Sequence, residues 1–300
     1  MKMGINVQVA QDVKNNKGTY MILRKLEPQE HDKTRKLWEE IFTEDTPKFL
    51  DYYYSLKTAE NEIYVVEEDE KIVSMLHLNP YLMRIGEEVH QTHYIVAVAT
   101  DKNYRRRGYM AKLLNYVMQV MKGRGEPFTF LMPAAEAIYK PFGFEFVYEQ
   151  KRGTVIGKQC RDSNITFGLA KEEDCQEIAD YANAKLQEYD VVTWRDEEYY
   201  RMLLKEQASE EGGILLAKGN DDIAGVFCFT RGEQIEIREP LYSRESVLQQ
   251  AAYVLTGNET QEIHCTGYGK EFKPMIMAKV LQPRLEGQLK HFKVFINEVV

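Results

Sequence analysis

The sequence predicts an α/β (α+β) protein built as two tandem domains of one design, each a mixed sheet flanked by helices, the second degenerate. Three observations carry this. Segments of strand and helix character alternate through both halves of the 300 residues. Residues 94–100 (YIVAVAT) form an almost unbroken apolar run, as expected of a strand covered on both faces, and a polar loop then leads into an amphipathic helix. Finally, IYVVEEDEKIVSMLHL from Ile63 aligns without a gap on ILLAKGNDDIAGVFCF from Ile214, an internal repeat of strand, polar turn and strand.

Residues 1–20 are polar, with Asn15, Asn16 and Lys17, lack the apolar stretch of a secretion signal, and are expected as a flexible extension. The first domain, residues 21–150, opens with a strand at 21–25 and a helix carrying Leu37, Trp38, Ile41 and Phe42 at helical spacing. Two strands then flank the turn Glu68-Asp69-Glu70. Beyond the apolar strand, Met110, Leu113, Leu114, Val117, Met118 and Met121 make one buried stripe of a helix that Gly123 and Gly125 end. A strand at 128–132 and a short helix from Glu136 follow. The second domain, residues 151–274, repeats this order: strand 165–169, helix 174–186, a helical stretch around 199–204, then the repeated strand pair. Residues 275–300 hold enough chain for a strand, a short helix and a final strand.

Composition narrows the function. Apolar residues make up 44% and charged residues 29%, the balance of a soluble globular protein, and no run is long enough to span a bilayer. A net charge of −8 argues against a nucleic-acid partner, which needs a basic face. Cys160, Cys175, Cys228 and Cys265 lie far apart with no CxxC pair, which points to free thiols in the cytoplasm and to no metal site.

The informative stretch runs from Val96 to Ala111, where a strand feeds a basic, glycine-containing turn that opens a helix. Arg105, Arg106 and Arg107 offer guanidinium forks to phosphate oxygens. Gly108 lets phosphate approach the backbone. The turn and the helix start at Tyr109, Met110 and Ala111 add backbone N–H groups and partial positive charge. Together these suit a pyrophosphate. Neither GxGxxG nor GK[ST] is present, so the turn is not a Rossmann or Walker loop.

Arg105-Arg106-Arg107-Gly108-Tyr109-Met110 resembles the R/Q-x-x-G-x-G/A loop of the GNAT acetyltransferases, with Met110 where most members have Gly or Ala. That departure and the RRRG spelling are similar to the Eis-like (enhanced intracellular survival) branch. Residues 135–144 also look like that branch's E-x-x-I-Y-x-R-F-G-Y segment, shortened by one residue and with Pro141 in place of the arginine. The resemblance covers about residues 21–146. The second half matches in architecture only. Residues 234–239 and then Pro240-Leu241-Tyr242-Ser243 stand where the cofactor strand and loop should be, with no RxxGxG, so no cofactor is expected there. With residues 275–300 alone remaining, the branch's third domain is expected to be reduced or absent, and a homo-oligomer is left open.

The resemblance implies acetyl-CoA as co-substrate and direct transfer of its acetyl group to a primary amine of a small molecule (aminoglycoside-like or polyamine-like) or a peptide. It implies that the backbone of Val96, Ala97 and Val98 pairs with the pantetheine amides as an added strand would. Residues 106–111 would hold the pyrophosphate. Tyr139 matches the family tyrosine that protonates the departing CoA thiolate, an exchange between groups of ordinary pKa about 10 and about 8.5. In the Eis-like branch the terminal carboxylate enters the active site, so Val300 is the second catalytic candidate. The alternative is that Val294, Ile296 and Val299 merely complete a sheet.

Two points stay open. Histone-acetylating relatives carry a glutamate base where this chain has Tyr94, which leaves His77, His93 or a water relay to take the proton. The aromatic run from Phe42 to Tyr54, with Asp45 and Asp51, either walls the acceptor site or covers the core. The alternative function is a catalytically silent acyl-CoA-binding or regulatory protein. An RNA-binding use of the arginine run lacks the basic face.

Overall fold

The computed structural model describes residues 11–14, 20–159, 164–220, 222–232, 234–259 and 261–297. Strand β1 (Gln11–Lys14) pairs antiparallel with β2 (Tyr20–Lys25), so part of the expected extension adds a strand to the edge of the sheet. Helices α1 (Arg35–Ile41) and α2 (Pro47–Ser55) follow. Thr46 caps α2 by accepting a hydrogen bond from the Phe49 N–H, with Pro47 at the first helical position. Strands β3 (Glu62–Glu68), β4 (Lys71–Ile85) and β5 (Glu88–Thr100) make an antiparallel meander. Helix α3 (Tyr109–Gly123) then crosses to β6 (Phe128–Leu131), which runs parallel to β5. The first half ends with α4 (Glu136–Tyr139) and β7 (Glu145–Ile156).

One face of this sheet packs on α3 through Leu113, Leu114, Val117 and Met121. The other packs on α1 and α2 through Trp38, Phe49, Leu50 and Tyr53. The stripe read from the sequence is the buried face of α3, with Met110 and Met118 half-buried at its margins.

The second half comprises β8 (Thr166–Leu169), α5 (Cys175–Lys185), β9 (Val191–Thr193), α6 (Glu197–Ser209), β10 (Gly213–Lys218), β11 (Ile223–Arg231), β12 (Ile235–Tyr242), α7 (Glu245–Thr256) and β13 (Glu262–Thr266). Ile214 lies in β10 as Ile63 lies in β3, and β12 and β13 are parallel around α7 as β5 and β6 are around α3.

Strand β14 (Glu271–Val280) departs from the repeat. It passes between β6 and β7, antiparallel to both, and so completes the sheet of the first half. Because β7 also pairs with β13, one continuous sheet runs through the molecule. Where a short helix was expected next, two 3₁₀ turns occur, Pro283–Leu285 and Leu289–His291. Strand β15 (Val294–Phe295) runs parallel to β9, which pairs with the end of β4. Cys175, Cys228 and Cys265 are free and buried, and burial pushes the Cys228 and Cys265 thiols up to about 12. Cys160 lies outside the described residues. Among the described residues no helix is long and apolar enough to cross a membrane, and no His, Cys, Asp and Glu group could hold a metal ion.

Candidate active site

Strand β5 is paired with β4 along its length but with β6 only where Tyr94 meets Phe130. Since β6 ends at Leu131, the edge of β5 beyond Tyr94 has no strand partner among the described residues. A bulge falls in this open stretch. Met75 pairs with Ala99 and His77 with Val96, so Ala97 and Val98 stand opposite one residue, and Ala97 takes φ +53°. Val96 and Val98 are half-buried and Ala97 is buried, leaving backbone N–H and C=O groups as what this edge offers an extended ligand.

The loop after β5 is tightly organised. Asp101 accepts hydrogen bonds from the Asn103 N–H at 2.9 Å and from Lys71 Nζ at 2.5 Å, and the ammonium holds its carboxyl below the usual range. Arg106 (φ +63°) and Gly108 (φ +79°) both adopt the left-handed conformation, which turns successive N–H groups of the loop toward one side. Gly108 sits at the N-cap of α3 without a side-chain cap bond, and a Cβ there would meet nothing within 4 Å. Space for an anion is therefore open in front of the helix.

The three arginines differ. Arg105 donates from Nε to the Thr100 carbonyl at 3.2 Å. Arg107 donates to Glu68 Oε1 at 3.0 Å and to the Asn103 carbonyl at 3.2 Å, and its guanidinium lies over the Tyr104 ring. Arg106 is exposed and makes no hydrogen bond or ion pair among the described residues. Glu68 also accepts the Tyr109 hydroxyl, which fixes that side chain in the core and leaves only its backbone N–H for a ligand. Met110 and Ala111 are half-buried in the first turn of α3.

Tyr139 ends α4, with its ring edge-on to Phe144 at 6.0 Å. The residue is 6% exposed, and its hydroxyl makes no hydrogen bond among the described residues. Burial alone pushes the phenol pKa up. Val300 lies outside the described residues. Residues 294–297 are buried, with Ile296 in the same core cluster as Tyr94 and Tyr139.

Both histidine candidates are core residues. His77 is fully buried 3.2 Å from the Tyr53 hydroxyl beneath α1 and α2, and burial lowers its pKa to about 3. His93 is bonded at 2.9 Å to Glu126, between α3 and β6. Most rings of the aromatic run are also core, while Asp51 is exposed. Tyr53 is fully buried, Asp45 accepts the Trp38 indole N–H at 2.7 Å, and Asp51 pairs with Arg35 at 2.7 Å. The reading of this run as core cover is the one the packing bears out.

A cavity of about 550 Å³ opens between the halves, lined by Tyr81, Leu82 and Met132 from the first and by Trp194, Tyr199 and Arg238 from the second. Carboxylates on its lining (Glu60, Asp196, Glu198, Glu206, Glu236 and Glu239) outnumber the cations. Sequence reasoning singled out none of the second-half residues. The signal was present in the repeat: β12 keeps the bulge, because Val226 pairs with Leu241 and Cys228 with Arg238 while Glu239 takes φ +48°. There, however, β13 stays paired at Glu236, Ile237 and Arg238, and only Ser243 and Arg244 separate β12 from α7. Glu245 lies in the first turn of α7, and that end of the second half lacks a basic loop like the one that precedes α3.

Residues 23–147 match the family model described as an acetyltransferase (GNAT) domain. That segment is a GNAT acetyltransferase domain. It spans the bulged strand, the phosphate-suited turn and Tyr139, which places acyl-transfer chemistry of the acetyltransferase kind in this part of the chain. Among solved structures, a conserved protein of unknown function from Enterococcus faecalis, described as a probable N-acyltransferase, is similar with a TM-score of 0.73 and 16% identity. The match covers 87% of this chain and 73% of that one. Eis1 from Mycobacterium abscessus is similar at 0.61 and 10% identity, over 87% and 73% of the two chains. A tandem GNAT protein from the clavulanic acid biosynthesis pathway is similar at 0.56 and 12% identity, over 88% and 99%. At these identities the likeness is one of fold. No curated protein sequence matches the chain.

Proposed function

We propose that the protein transfers the acetyl group of acetyl-CoA directly to a primary amine of a small molecule or peptide seated in the cleft between its halves. One observation carries this reading. The splayed edge of β5, its bulge at Ala97 and the left-handed turn that opens α3 follow one another within a single stretch of chain. Acetyl-CoA brings the activated acyl thioester. Backbone groups of Val96, Ala97 and Val98 pair with an extended pantetheine-like chain. Held rigid by β4, they are also poised to donate to charge developing on the acyl oxygen. The N–H groups from Arg106 to Ala111, with the Arg106 guanidinium, which has no partner among the described residues, take the pyrophosphate. Arg105 and Arg107 hold the shape of the turn.

Tyr139 serves as general acid toward the thiolate. Burial keeps the phenol protonated, and its hydroxyl makes no hydrogen bond among the described residues. With His77 and His93 committed to the core, the amine loses its proton to solvent in the cleft. The excess of carboxylates on the cleft favours an acceptor that arrives as a cation. The test is thiol release from acetyl-CoA over a panel of primary amines, with CoA-induced thermal stabilisation measured alongside. Turnover on at least one amine is expected. Stabilisation without thiol release on any amine would leave the chain an acyl-CoA-binding protein and overturn the reading.

A further inference from the structure

The cleft that the proposed function gives to the acceptor carries cations as well as carboxylates, and most of the cations are already engaged. Arg195 ion-pairs with Glu239. Arg238 bonds Glu210 at 2.5 Å and Glu236 at 3.2 Å. Lys57 stands over the Tyr81 ring at 5.1 Å.

Arg152 is different. Its Nε donates to Gln150 Oε1 at 3.0 Å, and its guanidinium makes no ion pair among the described residues. Gln150 is itself buried, 3% exposed, and donates from Nε2 to Asn297 Oδ1 at 2.7 Å. All three residues line the cleft. The backbone beneath Arg152 is fixed, because β7 lies between β13 and β14 with Thr266 directly opposite on one side and Glu271 on the other. The relay from Asn297 through Gln150 therefore grips the Nε edge of a half-buried guanidinium. Its Nη1 and Nη2 donors have no acceptor among the described residues. That pair is the fork that meets a carboxylate or phosphate with two parallel hydrogen bonds. A half-buried cation without a counter-ion among the described residues gains most from an anion brought by a ligand.

We infer that Arg152 anchors an acidic group of the acceptor, so that the acceptor carries a carboxylate or phosphate in addition to its amine. The inference rests on the proposed transfer reaction and names the substrate class of the same cleft. The carboxylates nearby draw the ammonium end, and Arg152 selects among cations those that also bear an anion.

Matched acceptor pairs test it: L-lysine against L-lysinamide, and O-phosphoethanolamine against ethanolamine, with kcat/KM measured for each. Wild-type protein is expected to favour the acidic member of one pair by about 10- to 100-fold, mainly through KM, with the favoured pair identifying carboxylate or phosphate. In Arg152→Ala that ratio is expected to fall to about one. Arg152→Lys keeps the charge without the fork and should retain a reduced preference. Gln150→Leu frees the guanidinium from its relay and should lower the ratio while Arg152 is still present. Calorimetric binding of acetyl-CoA reports whether each variant is folded. Equal kcat/KM for acidic and neutral members, or a preference that survives Arg152→Ala, overturns the anchor while leaving the transfer reaction standing. Absence of transfer to every amine overturns the reaction and the anchor with it.

Discussion

Gly108→Ala separates the backbone role of the phosphate-suited turn from its contribution to stability. Gly108 has φ +79°, a conformation that costs a residue with a Cβ about 1–2 kcal/mol. Stiffening the unfolded chain returns about 0.4–1 kcal/mol. No steric penalty is added, because a Cβ there meets nothing within 4 Å. The variant should therefore be about 1 kcal/mol less stable in urea denaturation. Gly123→Ala is the control at the other end of α3. Its backbone is not left-handed and its surroundings are open, so helix propensity should make that variant more stable by about 0.5–1 kcal/mol. Acetyl-CoA binding should respond to Gly108 alone. A methyl group in front of the N-cap displaces one charged hydrogen bond worth about 1.5–3 kcal/mol, which corresponds to roughly 10- to 100-fold in calorimetric Kd. A Gly108→Ala protein with the expected stability loss and unchanged affinity would show that no phosphate approaches this turn.

Tyr139→Phe should leave thermal stability and acetyl-CoA affinity unmoved, since the hydroxyl it removes has no hydrogen-bond partner among the described residues, while kcat falls by about 10²–10⁴. The same acid must be protonated to act, and burial raises its pKa, so the alkaline fall of kcat in wild-type protein is expected above the ordinary phenol value of about 10. Arg106→Ala should weaken acetyl-CoA about 10- to 100-fold at constant stability. Arg107→Ala should in addition lower the denaturation midpoint, because it strips the buried Glu68 of its cation. His77 stays neutral in the fold down to about pH 3 but protonates near pH 6.5 when unfolded. Its native pKa is depressed, so the stability linked to it is present above pH 6.5 and is lost as pH falls toward 3, at about 1.4 kcal/mol per unit. Urea denaturation at pH 7 and pH 4.5 should show a smaller acid loss in His77→Gln than in wild type.

What the sequence made legible was local. The apolar run at residues 94–100, the arginine turn and the stripe of α3 are contiguous, and each has its own period or punctuation. The fold around them followed once the repeat at Ile63 and Ile214 was seen. The bulge at Ala97 left no trace in composition, because an alanine at positive φ is held there by its neighbours rather than by its own preference. Charge and aromaticity left Tyr53 and Asp51 undecided between a binding wall and core cover. A run of polar-tipped rings reads as a binding wall until the packing shows the tips bonded within the core, as Tyr53 is to Asn79 at 3.0 Å. The cleft was the least legible part. Arg152, Arg238 and Asn297 come from three distant segments, and only the crossing of strands brings them to one surface.

The crossing of β14 sets the order in which this protein can be made. Met277 lies opposite Leu131 on one side and Phe146 on the other, so the seam between β6 and β7 stays open while the intervening chain is synthesised. Until then two hydrogen-bonding strand edges stand bare, the kind of surface on which nascent chains stick to one another. The phosphate-suited turn and Tyr139 precede β14 in the chain, yet the sheet that carries them closes only once β14 has been made. Contacts of such long sequence separation slow folding, and they tie the two halves into one cooperative unit rather than two that mature in turn.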